Sequence, residues 1–337
     1  MKTYKPFLRT SFSLTLFFAA VTTFTHYAAA QTTAPKLSQS QAGFYRMKVG
    51  DFEVVALSDG TVPLPVFDAL TDIKQSEIER LLQNSYLKTP LDISVNAFLI
   101  KPADKTDKLI LVDTGTGKLY GPTLNKLTDS LKAAGYEPEQ ITDILITHVH
   151  TDHSGGLTDG NRMIFPNTVI HLEKREVDYW LNPTNKDKSK GDKERLNNLF
   201  REANATFKPY LDVGRVKTFD GDTQLFAGIK SIAAPGHTPG HSFYAIESKG
   251  EKMIFCGDIM HFAEIQFPNP AATVVFDSDP NAAAMTRKKA FAEAAKNGYW
   301  LASAHVSFPG IGHLRTDGKG YKWIPTAFVN DAYKSEK

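Results

Sequence analysis

Short apolar runs alternate with helical patterns along most of the chain. Alternating or unbroken apolar positions predict strands at FEVVAL (52–57), VNAFLI (95–100), KLILVD (108–113), DILIT (143–147), TVIHL (168–172), IKSIAA (229–234) and YWLASA (299–304). A helix is predicted near residues 123–134, and helical patterns follow TVIHL on to about residue 203. Another helix is predicted from Asp279-Pro280 to Asn297-Gly298. Two strand-rich halves with helices between them predict two packed sheets covered by helices, an α/β arrangement.

Two connecting segments carry a clearer local signal. HSFYAIESKGEKMIFCGD (241–258) predicts a hairpin that turns at Lys249-Gly250. NPTNKDKSKGDKER (182–195) is polar and of mixed charge. We expect a solvated loop that leads into a helix. A mobile lid over a site is the alternative.

The N-terminus has the three parts of a signal peptide. MKTYKPFLRT is basic, SFSLTLFFAAVTTF is apolar, and AAA at 28–30 is a small-residue cleavage site before Gln31. We therefore expect residues 1–30 to be removed and residues 31–337 to form a single periplasmic or secreted domain. An uncleaved anchor is the alternative, although the apolar part is short for a span of about 20 residues.

Charge excludes two classes of partner. The chain of 337 residues has a formal charge of +2, with three of its 39 basic residues at Lys2, Lys5 and Arg9. Without residues 1–30, 36 basic and 37 acidic residues remain. The mature chain therefore offers no electrostatic basis for binding nucleic acid or an anionic membrane. A small molecule is the expected partner.

The single cysteine, Cys256, lies in the apolar run KMIFCGD. A buried small hydrophobic side chain is the expectation, rather than a nucleophile. No disulfide can form within the chain, so its stability must come from the core and from bound metal.

Candidate chemistry is concentrated in ILITHVHTDHSGGL (144–157). Residues two apart in an extended segment point the same way, so His148 and His150 can bind one cation. After the turn, Asp152 and His153 can face a second cation. Imidazole and carboxylate ligands suit zinc and its neighbours, and the absence of a nearby thiolate argues against a structural zinc site.

Three more ligand-type residues each follow an apolar run. His237 lies in AAPGHTPGH, Asp258 in IFCGD and His305 in LASAH. A lone histidine is more often a satisfied structural residue, but together with the H-x-H-x-D-H motif these three predict a binuclear site.

The order LVDTG (111–115), H-x-H-x-D-H, PGHTPGH, GD and a late histidine resembles that of the metallo-β-lactamase superfamily of two-metal hydrolases. The resemblance implies an αββα sandwich with the site at one edge. It implies one divalent ion on His148, His150 and His237, another on Asp152, His153 and His305, and Asp258 between them. Asp113 would orient a ligand, and His241 would support the site by hydrogen bonding. Zinc is the expected metal, with manganese, cobalt and iron as alternatives.

A narrower resemblance, to methyl parathion hydrolase and its lactonase relatives, covers most of the mature chain. It includes GFYRMKVGDFEVVALSDGTVPLP, LKAAGYEPEQITDILITHVHTDHSGGL and RKKAFAEAAKNGYWLASAHVSFPGIGHLRTDGKGY. It implies attack by a metal-bridging hydroxide on a lactone or aryl ester, with Asp258 and Asp152 as the catalytic carboxylates. Cleavage of organophosphate triesters would be a side activity. It also implies a homodimer.

The same likeness places five side chains around an apolar substrate pocket: Tyr120, Trp180, Phe200 (with Leu199), His261 and Phe276. Plain core packing is the alternative for each. Organophosphate specialists of the family carry smaller aliphatic residues at the positions of His261 and Phe276. The bulkier pair here therefore favours flat lactones or aryl esters over tetrahedral phosphotriesters.

Three other functions are compatible with the sequence. One is a dedicated phosphotriesterase. A β-lactamase is disfavoured because such enzymes lack the bridging aspartate, and Cys256 stands two residues before Asp258. A non-catalytic metal-binding protein is disfavoured by the complete ligand set. His171 and His313 have no assigned role, and a structural role is expected.

Overall fold

The computed structural model describes residues 41–103, 107–187, 189 and 191–329, together with Met1. The predicted signal peptide, apart from Met1, lies outside the described residues, so export stays a prediction. Within the described ranges no helix is both long and apolar enough to cross a membrane.

Two seven-stranded sheets form the centre of the fold. The first has the order β1-β2-β4-β5-β6-β9-β10 and contains β1 Phe44–Val49, β2 Phe52–Leu64, β4 Leu91–Lys101, β5 Ile110–Val112, β6 Asp143–Leu145, β9 Val169–Glu173 and β10 Val216–Phe219. Its pairs are antiparallel from β1 to β5 and parallel from β5 to β10.

The second sheet has the order β11-β12-β13-β14-β16-β17-β18. Its strands are β11 Gln224–Phe226, β12 Ile229–Ala233, β13 Ser242–Ser248, β14 Glu251–Phe255, β16 Trp300–Ala302, β17 Ile311–Asp317 and β18 Gly320–Pro325. Only β14 and β16 pair in parallel among these neighbours. Two small ribbons pair β3 (Leu70–Thr71) with β15 (Thr273–Val274) and β7 (Thr158–Asp159) with β8 (Arg162–Met163).

Helices connect the strands and cover both sheets. They are α1 Val66–Ala69, α2 Gln75–Asn84, α3 Leu127–Ala133, α4 Thr151–Ser154, α5 Lys174–Trp180, α6 Lys193–Asp212, α7 Ala263–Gln266 and α8 Pro280–Asn297.

Alternate residues of β2 show how the layers are held together. Val54 and Ala56 belong to the cluster between the two sheets, with Tyr244 and Phe255 of the second sheet. Val55 and Leu57 point the other way, into a cluster with the side chains of α3 and α6. A strand buried on both faces reads as an unbroken apolar run rather than an alternating one. A third cluster joins the second sheet to α8. The prediction of two packed sheets flanked by helices is confirmed.

The turn and the helix ends that were predicted from local sequence motifs agree with the structure. Lys249 and Gly250 both have positive φ, 51° and 79°, as a two-residue hairpin turn requires. Asp279 Oδ1 accepts from the Ala282 N–H at 3.0 Å, and Gly298, with φ of 65°, ends α8. The polar segment contains a 3₁₀ turn at Pro183–Asp187 before α6.

Two predicted helices differ in length from those observed. The helix expected over 123–134 is confined to Leu127–Ala133. The helix expected to end near 203 continues to Asp212, with Pro209 inside it. Phe207 and Tyr210 on that last part are fully buried, and the Tyr210 hydroxyl donates to the Leu157 carbonyl at 2.9 Å. Tertiary packing therefore outweighs the local effect of the proline.

Cys256 is buried, as expected. Its thiol donates to the Ala302 carbonyl, with 3.3 Å between Sγ and the oxygen, and burial raises its pKa to about 12. The thiol is therefore not a nucleophile at neutral pH.

Candidate metal centre

The fold brings the ends of several strands to one edge of the sandwich. His148 and His150 follow β6, while Asp258 and His305 each lie three residues beyond the ends of β14 and β16. His237 lies in the turn between β12 and β13. Ligand-type residues separated by up to 157 positions in the chain thus become neighbours, as is usual at the carboxyl ends of strands in α/β folds.

Their donor atoms form two groups that share Asp258. The first contains His148, His150, His237 and Asp258, and the second contains Asp152, His153, Asp258 and His305. Within each group the donor atoms lie within 4.8 Å of one another. Only Asp152 is partly exposed, with 22% of its side chain accessible. The structure thus brings together the residues that the family resemblance implied for each ion.

The two carboxylate oxygens of Asp258 face different groups. Oδ2 lies 3.2 Å from His237 Nε2 and 3.6 Å from His148 Nε2. Oδ1 lies 2.9 Å from His153 Nε2 and 3.0 Å from His305 Nε2. The aspartate therefore has the position expected of a ligand shared by two ions.

The donor atoms themselves indicate a cation. Nε2 of His148 and Nε2 of His150 are buried without a hydrogen-bond partner among the described residues. Buried polar atoms are nearly always partnered, so such a cluster calls for a ligand. Nitrogen and carboxylate donors with no thiolate suit zinc and related divalent ions.

Asp113 orients one of these histidines. Its Oδ2 lies 2.8 Å from His153 Nδ1. The same carboxylate accepts from the Thr147 backbone N–H at 2.8 Å and from the Thr147 hydroxyl at 2.9 Å. A hydrogen bond to Nδ1 leaves Nε2 of His153 available as a ligand atom. The orienting role implied for Asp113 agrees with this geometry.

His241 supports Asp258 through the backbone. Its Nδ1 lies 3.1 Å from the Ala234 carbonyl, so Nδ1 carries the proton and Nε2 accepts from the Asp258 N–H at 3.0 Å. Burial lowers the pKa of His241 to about 3, which keeps the ring neutral. Gly257, with φ of 44°, lies against this ring, and a Cβ there would meet His241 Nε2 at 2.6 Å.

Replacing Gly257 with alanine should therefore disturb the site as well as the backbone. We expect Gly257→Ala to lower the free energy of unfolding by about 2–4 kcal/mol, because the strain of a positive φ adds to the clash with His241. Part of the bound metal should also be lost. Gly250→Ala is the matched control, since Gly250 also has positive φ but its Cβ would meet nothing within 4 Å. It should cost about 1–2 kcal/mol and leave metal content unchanged. Stability is measured by urea denaturation and metal content by elemental analysis. If Gly257→Ala and Gly250→Ala had the same stability and the same metal content, the role of Gly257 would be contradicted.

Two buried carboxylates of the site were missed by sequence reasoning. Asp277 Oδ1 lies 2.9 Å from His237 Nδ1. Glu176 accepts from the N–H groups of Val149 (3.0 Å) and Gly240 (2.7 Å), which ties together two loops that carry ligands. An acidic residue on the buried side of α5 was the available signal for Glu176. No motif marks Asp277.

The five predicted pocket residues occupy different surroundings. Trp180 and Phe200 are buried in the core, where Trp180 packs edge-on against His150 with 5.3 Å between ring centres. Phe200 contacts Trp180 at 4.8 Å and so lies one side chain farther from the ligands. Tyr120 is 41% exposed and lines a cavity with Leu199.

His261 and Phe276 lie on the other side of the ligands. His261 Nε2 is 3.0 Å from Asp258 Oδ2, and its ring stacks on His305 at 5.2 Å and contacts Phe276 at 5.7 Å. With His305, it lines a cavity of about 260 Å³. The apolar wall of that cavity was not predicted and includes Leu87, Pro90, Leu91 and Ile93.

The two histidines without an assigned role are structural. His171 Nε2 lies 2.8 Å from Asp143 Oδ1. His313 packs on Trp300 with 3.7 Å between ring centres, and its Nδ1 lies 3.2 Å from the Tyr299 carbonyl.

Comparison with known proteins agrees with this geometry. The family model described as the metallo-beta-lactamase superfamily matches residues 91–305, which include all seven candidate ligands. The chain belongs to the metallo-β-lactamase superfamily. It is therefore a metal-dependent hydrolase with a divalent metal centre, and the αββα arrangement is that of the family.

Several members of the superfamily are close enough to be informative. The crystal structure of the hydrolase AbOPH is 36% identical, with a TM-score of 0.81 over 87% of this chain and 100% of that one. AidC, a dizinc quorum-quenching lactonase solved with a product, N-hexanoyl-L-homoserine, is 31% identical, with a TM-score of 0.80 over 86% and 99%. An N-acyl homoserine lactonase from Bacillus sp is 26% identical over 218 residues, which cover 59% of this chain and 76% of the relative. The narrower likeness to methyl parathion hydrolase stays a prediction.

Proposed function

We propose that this protein opens lactone rings and cleaves aryl esters at a binuclear metal centre. In this proposal His148, His150 and His237 hold one divalent ion, Asp152, His153 and His305 hold the other, and Asp258 binds both. The observation that carries it is the position of Asp258, with one carboxylate oxygen toward each group of histidines. The 31% identity to a dizinc lactonase supports the substrate class and favours zinc.

When bound, two divalent ions supply a water activated at neutral pH and polarise the substrate carbonyl. The chain contributes the fixed geometry, since Asp113 and Asp277 hold the rings of His153 and His237 from behind. Opening a lactone also requires a proton for the departing alkoxide. We assign the holding of that proton to Asp258 and His261, whose Oδ2 and Nε2 lie 3.0 Å apart.

The side chains beside His305 favour flat substrates. His261 stacks on His305, Phe276 packs on His261, and the Arg195 guanidinium lies 4.9 Å from the centre of the Phe276 ring. A planar ester needs less room at the reacting carbon than a tetrahedral phosphotriester with three substituents. We therefore propose that organophosphate cleavage is a side activity.

The proposal is tested with an aromatic lactone and a methyl phosphotriester. The zinc- or manganese-loaded protein should show a kcat/KM for the lactone that is higher by about tenfold or more. Both activities should disappear in a chelated control. A metal-dependent preference for the phosphotriester would instead favour a dedicated triesterase. Turnover of neither substrate would reject both assignments.

Substitution of His261 tests whether this side chain sets the substrate preference. His261→Leu removes the imidazole that contacts Asp258, so the ratio of lactone to phosphotriester kcat/KM should fall by about tenfold. His313→Leu is the matched control because His313 packs on Trp300 instead of on the ligands. It should leave the ratio unchanged. An unchanged ratio in His261→Leu would remove this side chain from the specificity argument.

A further inference from the structure

The guanidinium of Arg195, beside the metal-site residues, has most of its hydrogen-bonding capacity unused. Arg195 lies in the first turn of α6 and is only partly exposed. Its Nη1 donates to the Val275 carbonyl at 3.0 Å, and its Cζ lies 4.9 Å from the centre of the Phe276 ring. It forms no ion pair with any residue in the described part of the chain. A guanidinium has five N–H donors, so several are left for a ligand.

The surroundings of Arg195 connect it to the site. It lines a cavity of about 330 Å³ with Tyr120, Asn198 and Leu199. Glu202, on the wall of the same cavity, accepts from the Thr151 hydroxyl at 2.7 Å, and Thr151 adjoins the candidate ligand Asp152. The Phe276 ring contacts both Arg195 and His261. A substrate at the ligands can therefore extend a substituent toward this guanidinium.

The charges around the cavity indicate which kind of group fits. Three carboxylates, Asp192, Glu194 and Glu202, line it together with one guanidinium. Asp192 is the N-cap of α6 and accepts from the Arg195 backbone N–H at 2.7 Å. A substituent with a full negative charge would meet repulsion from these carboxylates. A neutral oxygen acceptor, such as an amide or keto carbonyl, can accept from Arg195 without that penalty.

We infer that Arg195 is a specificity-determining residue that donates to a neutral carbonyl on the substituent of the lactone substrate. The inference rests on the proposed lactone hydrolysis and names the residue that would bind the acyl carbonyl, a group present in the N-acyl homoserine lactones for which the relatives are named. Lactones with an acylamino substituent should be better substrates than lactones with a plain alkyl chain of equal length. The distinction arises because the plain chain leaves the guanidinium without an acceptor.

The test uses the zinc-loaded full chain with two substrates, N-hexanoyl homoserine lactone and a γ-alkyl butyrolactone of matched length. Arg195→Met keeps the aliphatic stem but removes the donors. We expect kcat/KM for the acylamino lactone to fall by about 10- to 100-fold, mostly through KM, because a charged hydrogen bond is lost. For the alkyl lactone it should change by less than about twofold. Arg195→Lys, which keeps one charged donor, should recover part of the loss.

Lys208→Met is the matched control because Lys208 lies farther along α6 and pairs with Asp212 on the surface. It should affect neither substrate, and zinc content should be the same in all variants. Equal losses on both substrates in Arg195→Met would mean that Arg195 only holds Phe276 and Val275, and would overturn the inference. If the wild-type protein hydrolysed neither lactone, the proposed function itself would fail. The activity of the wild-type protein on the two lactones distinguishes a failure of the proposed function from a failure of the Arg195 inference.

Discussion

Asp258→Ala is expected to abolish hydrolysis and to reduce the bound metal from two ions to one or none. Both carboxylate oxygens of Asp258 contact histidines of the site, at 2.9 and 3.2 Å on its two sides. No neighbouring residue replaces that link between the groups, because Asp152 belongs only to the second group. We expect kcat/KM to fall by about 1000-fold or more, since several kcal/mol of transition-state stabilisation are lost.

The fold should survive this change. The Asp258 carboxylate contacts ligand histidines and His261 rather than a hydrophobic cluster, and its backbone N–H keeps the bond to His241. Circular dichroism should therefore show a folded protein, while elemental analysis and kcat/KM measure the loss.

Asp143→Ala supplies the matched control for Asp258→Ala. Asp143 is also a buried aspartate beside a histidine, with His171 at 2.8 Å, and it pairs with Lys108 at 2.6 Å. Although burial alone would raise its pKa, hydrogen bonds from His171 and Lys108 lower it to about 2. Its loss should cost about 1–3 kcal/mol of stability and leave metal content and kcat/KM unchanged. Full activity in Asp258→Ala would overturn the assignment of the shared ligand.

The candidate ligands could be recognised because their spacing is local or marked by a strand end, and the family resemblance implied how they divide into two groups. The H-x-H-x-D-H motif places four of them within six positions, shortly after the end of β6, so their side chains lie close together. His237, Asp258 and His305 each follow an apolar run, so the topology brings them to the same edge. The residue types then limit the chemistry to divalent ions.

The supporting residues could not be predicted in the same way. Asp277 reaches His237 across 40 positions from a loop after the two-residue strand β15, and short polar loops carry no periodic signal. The cavity wall from Leu87 to Ile93 depends on how the segment before β4 packs beside His261. Such contacts depend on tertiary placement, which a pattern of apolar positions does not specify.

Some strands of the fold were likewise easier to predict than others. The apolar core of β2 was recognised from FEVVAL, but the strand runs on to Leu64 through the polar residues of SDGT, where pairing with β4 sustains it. The hairpin of β17 and β18 was missed because HLRTDGKGYKWIP has exposed polar positions on one face. Strands buried on both faces were thus easier to predict than strands with one exposed face.

Metal uptake by the folded protein is expected to release protons, and metal affinity should rise steeply with pH. Burial alone would lower the pKa values of the ligand histidines, but the carboxylates reverse this for three of them. Asp258 and Asp277 raise the pKa of His237 to about 9, and Asp258 with Asp152 raises that of His305 to about 10. The pKa of His153 is also raised well above its ordinary value, by Asp258, Asp152 and Asp113. Near pH 7.5 His237 and His305 therefore keep a proton in the metal-free fold, and His153 holds one more tightly than a free imidazole does.

The direction in which metal affinity changes with pH follows from the competition between protons and metal ions for the same imidazoles. A raised histidine pKa stabilises the metal-free fold fully below the ordinary value of about 6.5, and this stability is lost as the pH rises through 9 to 10. Divalent ions require neutral imidazole, so each ion must displace these protons. Lower pH therefore favours the proton-bound site, and higher pH favours the metal-bound site.

Calorimetry at pH 7.5 in two buffers of different ionisation enthalpy measures the protons released. We expect about two to three protons per two zinc ions, and an overall binding constant that rises by about 100- to 1000-fold per pH unit near pH 7 to 8. In Asp258→Ala the carboxylate common to all three rings is gone, so the release per ion should fall well below the wild-type value. Release of fewer than about one proton by the wild-type protein would mean that the rings are already neutral. The charged histidine–aspartate contacts of the metal-free site would then not exist, and zinc affinity would depend little on pH in this range.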